Sequence, residues 1–312
     1  MQPNVGAPPE WAAPQDGCLR GRPPCAPYAG IRDVLKTLKA RQAADGGWRV
    51  MAVVYGAPDW AKAPAAGCPD GGGTVDRVAY QALLRSFAEV ARAEGVEIAY
   101  LAPWNEPNHP TFLGPQRPTC DRDAPALSPA AYAELVRAAH EVLPDTPLVL
   151  GEVAGYDRPR RDAVGSAEFA AGLPKDVACL STIWGQHAYV GRGSSELAAD
   201  REAGGHARLL AQMKTALDAF ACPQAHRLWI TETGARPTAE SCAQMDAALR
   251  AWEADARVDV AIQYTFRQDT AFPVGLADAR LTKTLPAYEA WLAWGGTRDP
   301  AGPPPADPCA AP

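Results

Sequence analysis

Two glutamates follow short apolar segments, a position in which active-site side chains are often found. Glu106 lies in the string Trp-Asn-Glu-Pro-Asn, residues 104–108, and Glu232 follows Leu-Trp-Ile-Thr, residues 228–231. A lone glutamate on a loop is usually only solvated. Two carboxylates at strand ends can instead share one reaction, since one can transfer a proton while the other acts as a nucleophile or base.

The spacing of the two glutamates predicts that they face each other. Two further apolar segments, beginning at Pro147 and Val177, lie between them. If each segment is a strand of a parallel barrel, Glu106 and Glu232 end strands that are third neighbours, and their side chains meet at one rim. Such a pair suits cleavage of a glycosidic bond, with the carboxyl groups ~5–5.5 Å apart for retention and ~6.5–9.5 Å apart for inversion.

The elements that must position these residues form a repeating pattern. Short apolar, β-branched runs alternate with longer amphipathic segments, which predicts βα units and a mainly parallel sheet. The predicted strands are Arg49–Tyr55, Glu97–Trp104, Pro147–Glu152, Val177–His187, Arg227–Thr231 and Val258–Phe266, with a further short one at Gln2–Val5. The predicted helices are Tyr28–Ala44, Val75–Glu94, Ala130–Leu143, Ser166–Gly172, His206–Phe220, Ala239–Ala254 and Leu285–Trp294. Ser128 is the predicted N-cap of the third helix, and Pro129 its first helical residue.

The pairing of an Asn-Glu-Pro strand end with a later Thr-Glu-Thr-Gly strand end resembles glycoside hydrolase clan A, whose members use the (β/α)8 barrel. Within the clan, Trp-Asn-Glu-Pro-Asn together with Gly-Gln-His-Ala-Tyr, residues 185–189, is most similar to family 39 and its relatives. That group includes β-xylosidases, α-L-iduronidases and bacterial exopolysaccharide hydrolases. The resemblance runs from about Arg49 to Trp294. It implies that Glu106 is the general acid/base at the end of strand four, that Glu232 is the nucleophile at the end of strand seven, and that the anomeric configuration is retained.

The expected fold class is therefore α/β, a (β/α)8 TIM barrel over residues 1–298 followed by a Pro-rich tail over residues 299–312. If Glu106 ends strand four, three strands should precede its own. Only Arg49–Tyr55 and the short segment Gln2–Val5 are available for this. We therefore expect the barrel of this chain to lack its first strand. An open seam of that kind would expose unpaired strand edges.

Three polar residues acquire expected roles from the resemblance. Asn105 would hydrogen-bond the 2-hydroxyl of the sugar, although an Asn here can also simply stabilise a turn. His187 and Tyr189 are two residues apart on one strand, so their side chains share a face, which the clan directs at the nucleophile. Tyr189 could donate its hydroxyl to Glu232 and so keep that carboxylate ionised. As a bare pair, His187 and Tyr189 would more often be ordinary packing residues, and only their context favours a functional role.

Aromatic residues near strand ends are the expected sugar-stacking surfaces. Trp60 follows a strand and resembles the aromatic residue that the clan places after strand three, with a packed loop anchor as the alternative. Tyr264 and Arg267 lie at the end of the last strand, where the clan often has an aromatic platform, but the usual Trp is absent here. The other strand tryptophans, Trp104, Trp184 and Trp229, are expected in the core.

Composition narrows the class of ligand. The net charge is -6 and the pI about 5.5, which opposes nucleic-acid binding because phosphates need a basic face. The sequence contains no apolar run of about 18 residues, so no membrane span is expected. Neither a metal-binding nor a phosphate-loop motif is present. We expect a carbohydrate as substrate, with no metal and no cofactor; the oligomeric state is not predicted.

The eight cysteines form an even set without any Cys-x-x-Cys spacing, which favours disulfides over a metal site. Disulfides indicate an oxidising compartment, so we expect a secreted or extracytoplasmic protein whose leader is absent from this chain. The order of the cysteines suggests four pairs, although sequence alone cannot fix the pairing. These are Cys18 with Cys25, Cys68 with Cys120, Cys179 with Cys222, and Cys242 with Cys309.

Two other functional classes are compatible with these motifs. One is a carbohydrate-binding barrel that is catalytically weak or inactive, and the other is a structural or surface-adhesion domain. The presence of both glutamates together with Asn105, His187 and Tyr189 favours the enzyme.

Overall fold

The computed structural model describes residues 30–44, 47–57, 61–63, 65–68, 74–191, 205–268, 272–295 and 302–310. The predicted strand Gln2–Val5 lies outside these residues and stays a prediction. Among the described helices, none is both long enough and apolar enough to cross a membrane.

Six parallel strands form the centre of the described structure, and each corresponds to a predicted strand. They are β1 (Val50–Val53), β4 (Ile98–Ala102), β5 (Leu150–Val153), β6 (Ile183–His187), β7 (Arg227–Thr233) and β8 (Val258–Gln263). β1 pairs with β4, and β5 to β8 pair in sequence order. A parallel bridge between Leu101 and Leu148 joins the two groups. Within the described ranges, no ladder connects β8 to β1. A short antiparallel pair, β2 (Lys62–Ala63) and β3 (Thr74–Val75), lies between β1 and β4 in the chain.

The sheet is curved, because side chains from five of the strands and from Val149, which directly precedes β5, meet on one face. Tyr100 of β4 and Trp229 of β7 are in edge-to-face contact there, with ring centroids 4.7 Å apart. This interior cluster consists of Met51, Val53, Tyr100, Ala102, Val149, Ile183, Trp229 and Val260. Neighbouring residues along the strands, such as Leu101 and Leu228, are buried on the opposite face against the helices. Apolar residues on both faces are characteristic of a parallel sheet covered by helices.

Eight helices surround this sheet in the described residues. They are α1 (Gly30–Ala44), α2 (Arg77–Glu94), α3 (Ser128–Val142), α4 (Ser166–Ala171), α5 (Lys175–Ala178), α6 (Gly205–Asp218), α7 (Ser241–Glu253) and α8 (Ala287–Trp294). Local sequence explains the ends of α2. The Asp76 side chain accepts a hydrogen bond from Ala79 N at its start, and Gly95 ends it in the left-handed conformation with φ 68°.

Two of the predicted boundaries were wrong. The segment from Val177 does not enter the strand directly, because residues 175–178 form α5 after Pro174 and only Ile183 begins β6. Val177 and Ala178 are apolar since they are buried in this helical turn, and a short apolar run alone does not distinguish a buried turn from a strand. Ser128 is inside α3 and does not cap it; its hydroxyl donates to Gln116 Oε1, 2.9 Å away.

Three disulfides tie peripheral segments to the fold: Cys68–Cys120, Cys179–Cys222 and Cys242–Cys309. Each joins a pair that the cysteine order suggested, while Cys18 and Cys25 lie outside the described residues. The Cys242–Cys309 bond holds the C-terminal tail against α7. Arg250 of α7 also donates to the carbonyl of Pro305, and residues 302–310 contain only bends and turns.

A β-bulge ends β5. The pairing of β5 with β6 shifts register between Gly151 and Val153, which leaves Glu152 as the extra residue. Gly151 and Glu152 both have positive φ, at 86° and 52°. A Cβ at position 151 would lie 2.5 Å from the Trp184 ring, so glycine is required there for steric as well as conformational reasons.

We expect Gly151→Ala to lower the free energy of unfolding by about 2–3 kcal/mol, because it adds both left-handed strain and overpacking against a buried ring. Gly95→Ala is the matched control. Its φ is also positive, but the nearest atoms belong to the flexible end of Lys39, so only the strain of about 1 kcal/mol should appear. Urea unfolding of both variants measures the difference, and equal losses would contradict the packing role of Gly151.

Candidate active site

Backbone hydrogen bonds to both neighbouring strand ends hold the segment that carries Glu106. Asn105 N donates to Val54 O after β1, and Glu106 N donates to Glu152 O at the end of β5, each at 2.8 Å. Asn108, which is fully buried, fixes the same segment to the loop after β5. Its amide nitrogen donates to Ala154 O and its side-chain oxygen accepts from Ala154 N. Glu106 itself has φ 40° and is 6% exposed.

Glu232 approaches the same point from β7. The end of β6 is registered beside it, with His187 opposite Glu232 and Ala188 N donating to Glu232 O. Tyr189 donates its hydroxyl to Glu232 Oε2 at 2.5 Å. His187 is buried between the two carboxylates, with Nδ1 2.8 Å from Glu106 Oε1 and 3.4 Å from Glu232 Oε2. The structure therefore brings Glu106, Glu232, His187 and Tyr189 together.

The two carboxylates are close neighbours. One oxygen of Glu106, one of Glu232 and one ring nitrogen of His187 all lie within 4.8 Å of one another. This closest approach of single oxygens is compatible with the ~5–5.5 Å carboxyl separation of pairs in which one carboxylate attacks directly.

The electrostatics of the cluster are dominated by burial and mutual repulsion. Burial opposes a charge on His187, but the Glu232, Glu106 and Glu152 carboxylates outweigh it and raise the pKa of His187 well above its ordinary value. Burial also raises the pKa of Glu232; the positive His187 and the Tyr189 hydroxyl lower it, but the Glu106 carboxylate raises it again. The hydrogen bond from Tyr189 favours the ionised form of Glu232, as expected, without bringing its pKa down to the ordinary range.

Spacing alone would also allow Glu106, His187 and Glu232 to hold a cation. A histidine binds a metal ion through the lone pair of a neutral ring. The neighbouring carboxylates raise the pKa of His187 well above its ordinary value, which favours the protonated ring over one that offers a lone pair. The cluster therefore fits proton transfer better than metal coordination.

A cleft of about 450 Å³ opens above the carboxylates. Asn105, Tyr189 and Tyr264 line it, as do Glu106 and Glu232. Two groups of rings flank the carboxylates. One group consists of Tyr55, His109 and Phe112, and the other of Tyr189, Tyr264 and Phe272. Burial lowers the pKa of His109, more than Glu106 and Asp162 raise it, so its ring is neutral at neutral pH.

The remaining predicted residues lie elsewhere. Trp60 is outside the described residues. Arg267 is exposed and is not among the residues that line the cleft, because its backbone bridges to Ala277 and directs the chain away. The chain leaves β8 at Gln263, whose side-chain amide donates to the carbonyls of Tyr264 and Val274. Trp104 and Trp184 are fully buried and Trp229 nearly so, as expected of core residues.

Sequence reasoning missed Glu152 and most of the aromatic rings that flank the carboxylates. Glu152 is 1% exposed, and its Oε2 lies 3.5 Å from His187 Nε2. Like Glu106 and Glu232, it stands at the carboxyl end of a predicted strand, and that position was the available signal. Phe112 and Phe272 come from loops distant in sequence, so no local pattern could have assigned them to one cleft.

No family model matches this chain, and no curated protein matches it in sequence. Solved structures do match. Two are family 30 glycoside hydrolases, a subfamily 8 xylanase from Clostridium acetobutylicum (16% identity, TM-score 0.55, 85% of this chain) and an endoxylanase from Clostridium papyrosolvens (12%, 0.55, 88%). A third is a family 51 α-L-arabinofuranosidase from Bifidobacterium longum (13%, 0.53, 81%). The matches cover 59%, 61% and 53% of those chains, respectively. The described part of the chain, an α/β structure with parallel strands, is thus similar in fold to the TIM-barrel glycoside hydrolases of clan A.

We expect Glu232→Gln to raise the midpoint of thermal unfolding at pH 7 by about 2–4 °C. A raised carboxyl pKa means that the folded state disfavours ionised Glu232, and the neutral amide removes that penalty. Below the pKa of an unfolded-state glutamate, about 4.3, Glu232 is protonated in both states, and the gain should vanish. Thermal unfolding across pH measures this, with Glu89→Gln on the exposed face of α2 as control. A gain that persists in acid would contradict the electrostatic origin.

Proposed function

We propose that this chain is a retaining glycoside hydrolase in which Glu106 is the general acid/base and Glu232 the nucleophile. The observation that carries the proposal is the close approach of their carboxyl oxygens, within 4.8 Å, beneath a cleft lined by aromatic rings. The comparisons support the class of enzyme through the fold, while the roles of the two glutamates rest on the site and on the motifs. The substrate class is a carbohydrate, and no cofactor is required.

The reaction proceeds in two displacements. In the first, a Glu232 oxygen attacks the anomeric carbon, the bond from that carbon to the leaving oxygen breaks, and the leaving oxygen takes the proton of Glu106. In the second, Glu106 accepts a proton from water, the water oxygen attacks the anomeric carbon, and the bond to Glu232 breaks. Each displacement inverts the anomeric centre, so the product retains the configuration of the substrate.

The surrounding residues support this sequence of steps. Tyr189 donates to Glu232 Oε2 and so orients the attacking carboxylate. Asn105 lines the cleft beside Glu106, where it can hydrogen-bond a sugar hydroxyl. The two groups of aromatic rings offer flat apolar faces to the C–H faces of a sugar. We further propose that the six described strands belong to a barrel of the (β/α)8 type within residues 1–298, followed by the tail over 299–312. The disulfides favour a secreted or extracytoplasmic location.

Covalent trapping tests the assignment of the nucleophile. A panel of dinitrophenyl 2-deoxy-2-fluoro-β-glycosides of neutral sugars should label Glu232, because the fluorine slows both displacements while the activated leaving group speeds only the first, so that the glycosyl-enzyme accumulates. Peptide mass spectrometry locates the label. We expect no labelling of Glu232→Gln and unchanged labelling of Glu89→Gln. Labelling at another residue would reject the proposed nucleophile.

Glu106 has a distinct kinetic signature. A dinitrophenolate leaves without a proton, so Glu106→Gln should retain the first displacement on a dinitrophenyl glycoside while losing about 10²–10⁴-fold on a glycoside with a sugar leaving group. Glu232→Gln should lose activity on both substrates equally.

Proton NMR of the first-formed product should show the anomeric configuration of the substrate. Inversion of that configuration would reject the retaining mechanism, and binding of oligosaccharide without turnover would identify a carbohydrate-binding barrel.

We expect Tyr189→Phe to lower kcat by about 10–100-fold, the value of a hydrogen bond to a charged group. Because that bond lowers the pKa of Glu232, its loss should also move the acidic limb of the kcat/KM profile to higher pH. A pH–rate profile on an activated aryl glycoside measures both effects. Loss of rate with an unmoved acidic limb would show that Tyr189 acts only through packing.

A further inference from the structure

Glu152 is held at the back of the site by an arrangement that serves no evident packing need. It is the extra residue of the β5 bulge and has φ 52°, which is unfavourable for a residue with a side chain. The Glu152 carboxylate lies over Gly185 of β6, the register partner of Gly151, where a Cβ would overlap Glu152 Oε1. The backbone of β5 and the glycine of β6 together make room for this carboxylate.

The carboxylate of Glu152 is also poorly satisfied. It is 1% exposed, and Oε1 has no hydrogen-bond partner among the described residues. A buried carboxylate with an unpaired oxygen destabilises a fold unless another charge compensates it. Among the described residues, the basic side chain beside it is His187, whose Nε2 lies 3.5 Å from Glu152 Oε2, at the long end of the hydrogen-bonding range.

His187 is surrounded by acidic groups from three other segments. Glu106 comes from the loop after β4, Glu152 from β5 and Glu232 from β7, while Tyr189 follows His187 on its own segment. The two ring nitrogens have different neighbours. Nδ1 faces Glu106 and Glu232, the two groups that would exchange charge during the reaction, whereas Nε2 faces Glu152 alone.

We propose that Glu152 is a positioning residue and the permanent counter-ion of His187, so that the Nδ1 proton can follow the negative charge between Glu232 and Glu106. This inference deepens the proposed function and rests on it. Glu152 touches neither the cleft nor the substrate, and it acts through the imidazolium.

The charge balance of the cycle explains why a fixed counter-ion is useful. Before the first displacement Glu232 is the anion and Glu106 holds a proton. Afterwards Glu232 is esterified and Glu106 is the anion, so one negative charge has moved from one side of His187 Nδ1 to the other. If Glu152 keeps its own negative charge throughout, His187 stays an imidazolium in both states and no proton has to enter or leave the ring. The raised pKa of His187 is consistent with this state.

The titration of His187 tests the proposal without any substrate. Imidazole ¹⁵N shifts of the full chain are recorded from about pH 5 to about pH 9, with the His187 signals assigned by comparison with His187→Gln. We expect both nitrogens to be protonated at pH 7 in the unmodified protein. Glu152→Gln should lower the pKa of His187 by about 1–3 units, and Glu89→Gln should leave it unchanged. A neutral His187 at pH 7 in the unmodified protein, or an unmoved titration in Glu152→Gln, would overturn the proposal.

A second variant guards against a failure of Glu152→Gln to fold. Aspartate tolerates positive φ better than most residues and keeps the charge, so Glu152→Asp should lower the pKa of His187 by less than Gln does. If Gln cannot be produced, the Asp variant should still keep His187 charged at pH 7. If Glu152→Asp lowered the pKa of His187 as far as loss of the charge does and left His187 neutral at pH 7, the carboxylate would not be the cause of the raised pKa.

The kinetic readout separates positioning from structure. In Glu152→Gln the basic limb of kcat/KM on an activated aryl glycoside should move to lower pH by about the same 1–3 units, while KM changes by less than about two-fold. A purely structural role would reduce the thermal midpoint and the rate without moving the limb. Absence of turnover in the unmodified protein would sink the proposed hydrolase while leaving the NMR test intact. A labelled Glu232 with an unmoved His187 would sink only the role of Glu152.

Discussion

The site depends on the compensation of several buried carboxylates by one imidazole. Glu106, Glu152 and Glu232 all lie within 3.5 Å of a ring nitrogen of His187. Like charges at such distances repel strongly where water is excluded, and a buried carboxylate responds by taking up a proton unless a cation is nearby. His187 is placed to be that cation, and its own burial makes its charge dependent on the same carboxylates. Removing any one of these groups therefore changes the protonation equilibria of the others.

The scaffold has to hold this cluster against its own repulsion. Its rigidity comes from the parallel strands and from the interior layer beneath them, where Tyr100 and Trp229 pack across the sheet. The strand ends carry the local adjustments. Glu106 and Glu152 both have positive φ, and the backbone bond from Glu106 N to Glu152 O ties the two distorted ends together. Strain of this kind persists only where the surroundings determine it fully, and it concentrates at functional sites.

Much of this arrangement could be predicted from the sequence, and the rest could not, for identifiable reasons. The six described strands and the positions of Glu106 and Glu232 follow from apolar runs ending in a carboxylate, because parallel strand ends meet at one rim. Glu152 ends such a run as well, but Leu-Gly-Glu-Val has no motif around it, and its inward direction depends on a bulge that leaves no sequence signature. The two groups of aromatic rings that flank the carboxylates include Phe112 and Phe272, whose loops are distant in sequence and come together only in the folded chain. Arg267 is not among the described residues that line the cleft, because the chain turns away after Gln263.

The fold alone does not determine the chemistry of this chain. Identities of 12–16% across most of the chain are consistent with one backbone architecture holding different chemistries, and function then has to be argued from named groups and their geometry. In this chain those groups are Glu106 and Glu232, whose carboxyl oxygens lie within 4.8 Å of each other beside His187. That spacing is compatible with attack by one of the carboxylates on the anomeric carbon, the retaining route proposed above. A protonated His187 ring between Glu106 and Glu232 can stabilise whichever of these two carboxyl groups is the anion.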